Sequence, residues 1–161
     1  GLEKEDPATK AYYKTFSSPM QRLITSYCQS GGNLFVSGAY VGSDMSGTQG
    51  NREFTEKILK YGYQGSLTDK SSNQIKGLGR TITIPRLPNE NSYAVTAPDC
   101  IVPVAPAFPV FTYARGNQPA GIAYKGADYR TFVLGFPFES IQSETDRASI
   151  MAGILGFFTQ K

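Results

Sequence analysis

The sequence has no histidine, no tryptophan and two cysteines, Cys28 and Cys100, among its 161 residues. Without imidazole there is no Ser-His-Asp or Cys-His engine, no histidine-containing zinc site and no imidazole general base. Two thiols are too few for a thiolate metal cluster; they permit one disulfide and require none. Neither sign of charge dominates: 16 Lys+Arg stand against 13 Asp+Glu, a net of +3, with the basic residues scattered singly among acids. Nucleic acid is therefore not an expected partner. No apolar run approaches the roughly 18 residues of a membrane span, and no basic-then-apolar leader opens the chain. The chain starts Gly1-Leu2-Glu3, which reads as a processed or excised piece. Composition calls for neither metal nor cofactor.

Residues 1–17 are polar and without period, and read as a tail or the remnant of a preceding element; residues 18–161 read as a single α/β domain. Ser18, Pro19 and Gln21 combine an N-cap hydroxyl, a first-turn proline and a capping-box partner. Met20, Leu23, Ile24, Tyr27 and Cys28 then form one apolar helical stripe, which Gly31-Gly32 ends. Leu34-Phe35-Val36 resembles a strand buried on both faces of a parallel sheet. A Gly/Ser-rich loop, 38–50, leads to a second helix near 52–60 with Phe54, Ile58 and Leu59 inward. From about 61 to 109 prolines at 85, 88, 98, 103, 106 and 109 are too dense for regular ladders, so this stretch reads as an irregular insertion with edge strands. Strands follow near 110–114, 120–125 and 131–136, the last two pairing antiparallel. The closing helix opens at Ser143 with Asp146 three residues on and buries Ile150, Met151, Ile154, Leu155 and Phe158. The order predicts a three-layer α/β/α domain with a mixed sheet.

Gln21-Arg22-Leu23, the segment Gly31 to Gly38, Arg52-Glu53-Phe54, the segment Val133 to Ile141, and Arg147 ahead of Ile150-Met151 and Ile154-Leu155 resemble a xanthan-lyase-like domain found in secreted proteins of polysaccharide-degrading bacteria. That resemblance implies a flavodoxin-like, class I glutamine-amidotransferase-like fold. It also implies that the first strand and helix are missing here, leaving an open sheet edge for another copy of the chain, and a secreted, periplasmic or cell-surface setting. The amidotransferases place a cysteine in a G-x-C-x-G elbow and carry F-H-P-E after a late strand. Gly38-Ala39-Tyr40-Val41-Gly42 matches the first frame with Tyr40 in the thiol's place. Phe136-Pro137-Phe138-Glu139 matches the second with Pro137 in the histidine's place and Glu139 retained. Losing nucleophile and base together removes that covalent chemistry.

The remaining candidates weigh differently. Cys28 lies on an apolar stripe, where a thiol is a small hydrophobe, and Cys100 falls in a presumed loop, reactive or bridged. Ser37 and Ser43 have no lysine at Ser-x-x-Lys spacing to serve as base. The loop 43–50 before a helix start has free amides for a phosphate, but matches neither nucleotide-binding glycine pattern and carries Asp44. Asp44 and Glu139 both fall near the carboxyl edge of the sheet, where open α/β sheets bind ligands, and a carboxylate pair there suits glycoside hydrolysis; the alternative is that both cap backbone. Tyr61, Tyr63, Tyr93, Tyr113, Tyr124 and Tyr129 sit in loops or strand ends, available to stack on sugars. The leading expectation is a non-catalytic structural, docking or glycan-binding module beside other domains of a longer chain, with binding candidates Ser37, Tyr40, Asp44 and Glu139. The alternative is a polysaccharide lyase or glycoside hydrolase acting through carboxylates or Tyr40, and a nucleotide or flavin binder is a third.

Overall fold

The computed structural model describes residues 13–90 and 93–160; the tail reading of residues 1–12 lies outside them. Residues 13–17 are tied to the fold. The Thr15 amide donates to Asp44 at 2.6 Å, and Phe16 is buried edge-on against Phe54, ring centroids 5.5 Å apart.

Helix α1 runs Ser18–Gln29. Its cap is Ser17, one residue earlier than predicted: the Ser17 hydroxyl accepts from the Met20 amide at 3.5 Å, while the Gln21 side chain is committed to Phe16 O and Asn51 Oδ1. Gly31, at φ +91°, ends the helix in the left-handed region as expected. The predicted apolar stripe is only half used. Cys28 is fully buried and Ile24 packs on the core, yet Met20, Leu23 and Tyr27 face solvent.

Strand β1, Leu34–Ser37, follows. It is an edge strand, half-buried throughout, and not the doubly covered strand its sequence suggested. Helix α2, Gln49–Phe54, is capped by the Thr48 hydroxyl and continues into a π turn, Thr55–Leu59, that buries Leu59. The stretch predicted as an irregular insertion holds four strands: β2 (Tyr61–Ser66), β3 (Gln74–Gly77), β4 (Arg80–Thr83) and β5 (Asp99–Pro103). Its prolines fall mostly between strands, which is why the ladders survive. Strands β6 (Phe108–Tyr113), β7 (Pro119–Lys125) and β8 (Arg130–Leu134) and helix α3 (Glu144–Thr159) complete the chain. The predicted cap of α3 is present, Ser143 Oγ accepting from the Asp146 amide at 3.2 Å, but Leu155 of its predicted stripe faces outward.

Six strands form a mixed sheet in the order β1-β8-β7-β6-β3-β4, and β2 with β5 forms a separate antiparallel ribbon. Only β1 and β8 run parallel, Leu34 opposite Thr131 through Ser37 opposite Leu134; the other ladders are antiparallel. The fold is therefore mixed α/β with a mixed sheet, as the sequence predicted, and is richer in strand than in helix. The two-residue period of β8 divides the core. Phe132 and Leu134 join a cluster with Phe111, Phe136, Ile150 and Ile154 beneath α3. Val133 joins a second cluster with Ile122, Met45, Phe54, Leu59 and Ile101, to which α1 contributes Ile24. Helix α3 thus packs with the first cluster, and α1 and α2 with the second.

Candidate functional site

Because β1 and β8 are parallel, their carboxyl ends open on the same side, and the loops after them meet there. The Gly38 amide donates to Leu134 O at 3.3 Å, and Ser37 Oγ accepts from the Phe138 amide at 3.3 Å. The ribbon closes over this end through Asp99, the first residue of β5. Its amide donates to Gly135 O at 2.7 Å and its carbonyl accepts from the buried Tyr113 hydroxyl at 2.9 Å. Glycine at 135 is what permits this crossing, since a Cβ there would lie 2.1 Å from Asp99 O.

The Asp99 side chain organises the site. It is fully buried. Oδ2 accepts from the Gly42 amide at 2.8 Å, the Ser43 amide at 2.9 Å and Ser43 Oγ at 3.3 Å, and Oδ1 accepts from Ser66 Oγ at 3.0 Å. Burial pushes its carboxyl above the ordinary aspartate range, opposed by the Ser43 and Gly42 amides and the serine hydroxyls. With the Ser66 proton committed to Asp99, the Tyr63 hydroxyl donates to Ser66 Oγ at 2.8 Å. A hydrogen-bonded chain thus runs from the buried carboxylate out to an exposed tyrosine. The Tyr63 ring lies against Gly42, where an added Cβ would come within 2.8 Å of it. A neighbouring wall is held by Tyr61, whose hydroxyl donates to Val41 O at 2.6 Å.

The structure places the predicted residues as follows. Ser37 and Glu139 come to the same end, linked through the Phe138 amide. Tyr40 is exposed in the loop after β1, and it is not among the three described non-glycine residues with positive φ, Lys60, Leu78 and Asn117. The strained elbow that would present a nucleophile is therefore not formed there. Asp44, its side chain 4% exposed, accepts from the Thr15 amide and pairs with Lys14 Nζ at 3.5 Å. Glu139 accepts from the Tyr93 hydroxyl at 2.9 Å, and burial together with that bond holds the Tyr93 hydroxyl well above the usual tyrosine range. Cys100 lies in β5 and not in a loop. It and Cys28 are buried free thiols, Cys100 pushed up to about 11 by burial and by Asp99. Among the described residues no group of three or more His, Cys, Asp or Glu gathers to hold a metal ion, and no helix is long and apolar enough to cross a membrane.

Sequence reasoning missed Asp99, Ser66 and the Gly42–Ser43 amides. The available signal was an aspartate leading straight into Cys100-Ile101-Val102, a charge at the mouth of an apolar run.

No protein-family model matches the sequence, and no curated protein matches it. Solved structures do share its fold. A catalytic mutant of a GH42 beta-galactosidase from G. stearothermophilus superposes with a TM-score of 0.61 at 12% identity, over 88% of this chain and 20% of that one. An exo-beta-1,4-mannosidase from Opitutaceae bacterium strain TAV5 gives 0.58 at 11% identity, over 92% of this chain and 25% of that one. The mmIFT52 N-terminal domain gives 0.53 at 15% identity, over 91% of this chain and 73% of that domain. At these identities the likeness is one of fold alone. The chain spans about a fifth to a quarter of the two glycosidase chains.

Proposed function

We propose that this chain is a non-catalytic module of a larger polysaccharide-processing protein, serving as a structural, docking or glycan-binding unit through the loop end of β1 and β8. The observation that carries the reading is how the acidic groups at that end are employed. Asp99 is sealed on loop amides and hydroxyls, Asp44 is held by Thr15 and Lys14, and Glu139, though exposed, accepts from Tyr93. Each holds protein, whereas Tyr40, Tyr63 and Tyr93 are exposed around them. Tyrosine offers a rigid apolar face with a polar tip, suited to sugar rings, at little entropic cost. Glycosidase chains that carry this fold in part of their length support a place beside carbohydrate chemistry. Kinship with the xanthan-lyase-like, flavodoxin-like group and an exported location belong to the same proposal. The parallel β1–β8 pair is the part such an architecture would retain.

The test is incubation with neutral and acidic polysaccharides, following new reducing ends, unsaturated products and retention in affinity electrophoresis. The expected result is retention that weakens in Tyr40→Ala, with no turnover. Product formation abolished by Glu139→Ala or Tyr40→Phe would instead establish the lyase or hydrolase reading.

A further inference from the structure

Beside the Asp99 chain, on the far side of Ser66, lies a cleft of about 280 Å³ between the loop 66–72 and the β6–β7 connection. That volume is of the order of a single sugar ring. Its lining is polar: Ser66, Thr68, Asp69, Ser72, Arg115 and Gln118, with Leu67 the one large apolar side chain. Asp69 and Arg115, both well exposed, pair at 3.0 Å, and the Ser71 amide donates to Asp69 Oδ1 at 2.9 Å.

Two features mark the cleft as built. Ser72 is 5% exposed, yet its hydroxyl has no hydrogen-bond partner; among the described residues only Arg86 Nε shares that condition. A buried hydroxyl left unpaired costs free energy, so its retention on the wall of a cavity calls for an explanation. Secondly, the wall is braced from behind by Arg86, itself 4% exposed. Its guanidinium donates to Ser72 O at 2.8 Å, Leu67 O at 2.7 Å and Thr96 O at 2.9 Å, fixing both ends of the 67–72 segment. A preorganised wall lowers the ordering cost of binding.

We propose that this cleft is a subsite for one neutral, hydroxylated ring, a single sugar unit, with the Ser72 hydroxyl as its deepest contact. The donor set decides the ligand class. An anion site would be lined by donors alone, but this one mixes a carboxylate and an amide oxygen with a guanidinium, an amide NH2 and three hydroxyls. That mixture matches hydroxyl groups, which both donate and accept. Ser66 ties the subsite to Tyr63. The proposal rests on the glycan-binding reading for the ligand's class, and on the cleft alone for its location.

The experiment is two-dimensional amide NMR of the labelled chain titrated with glucose, galactose and mannose, and separately with sodium sulfate, for the parent protein and for Ser72→Ala and Gln118→Ala. At least one sugar is expected to shift amides of residues 66–72 and 115–118 in a saturable way, with Kd raised about tenfold in Ser72→Ala and thermal stability unchanged or improved. Shifts confined to the Tyr40 and Tyr93 loops would overturn the subsite and leave the glycan reading standing. Equal sugar affinity in the Ser72→Ala protein would show that the sugar does not engage that hydroxyl, and would overturn the proposal. So would saturable sulfate binding at the cleft without sugar binding. Absence of binding by these sugars and by the polysaccharides would remove both readings together.

Discussion

Replacing Asp99 by asparagine and by alanine separates the carboxylate's charge from its role as an acceptor. In Asp99→Ala, the Gly42 and Ser43 amides lose their partner at 2.8 and 2.9 Å. Each donor stranded away from water costs about 1–3 kcal/mol, so the variant should lose about 2–6 kcal/mol. Ser66 keeps its bond to Tyr63 and adds little. In Asp99→Asn the amide oxygen retains Gly42 and Ser43, and the new NH2 donates to Ser66 Oγ, whose own proton then turns to Tyr63. Every partner is kept and a desolvated charge is removed, so the change should stay within about 1 kcal/mol of zero.

The two variants also differ in pH dependence. Burial raises the folded-state pKa of Asp99 above its unfolded value of about 3.9. Its contribution is therefore fully present below the unfolded pKa and is lost as pH rises through the folded one. Over that window the parent protein should gain stability on acidification relative to Asp99→Asn. Urea unfolding followed by circular dichroism, from pH 4 to pH 8, measures both effects. Equal losses in the two variants would refute the acceptor argument. A parent-minus-Asn difference that grows in the opposite direction with pH would refute the burial argument.

A second pair concerns glycine. Gly135→Ala drives a methyl to within 2.1 Å of Asp99 O and 3.4 Å of Ala120 O, both backbone, so a loss of at least about 3 kcal/mol is expected in thermal or urea unfolding. Gly50→Ala, inside α2 with nothing within 4 Å of the added carbon, should instead stabilise by about 0.5–1 kcal/mol. Thirdly, Cys28 and Cys100 are buried thiols with raised pKa, so Ellman's reagent at pH 8 should label the native protein slowly and the urea-unfolded protein at once. Rapid labelling of either thiol in the native state would contradict its placement.

What the sequence disclosed follows from the range of the interactions involved. Helix α3 was legible because its cap, first-turn acids and two deeply buried isoleucines lie within a few residues of one another. The apolar period of α1 was equally legible, but the side of the helix that would be covered was not. That depends on where the sheet ends, and it ends at β1, leaving Met20, Leu23 and Tyr27 exposed. The β2–β5 ribbon was hidden by proline-rich connections, because its pairing joins residues some forty positions apart through a register shift near Gly65.

The site was hidden for a related reason. Asp99 draws its donors from Gly42 and Ser43, 57 and 56 residues earlier, and two of those donors are backbone amides, which no side-chain pattern announces. Side-chain identity did mark the places where a loop needed help, in the glycines at 42 and 135 and the lone aspartate before an apolar strand, without saying which of them meet. The same limit applied to Asp44 and Glu139. Their position near one edge of the sheet was readable from the strand order. Their partners, Thr15 from the stretch read as a tail and Tyr93 from a proline-rich connection, were not. A carboxylate's proximity to a binding edge is thus weak evidence for chemistry until its lone pairs are accounted for: Asp44 is engaged by the Thr15 amide and Lys14, and Glu139 accepts from Tyr93 while staying exposed.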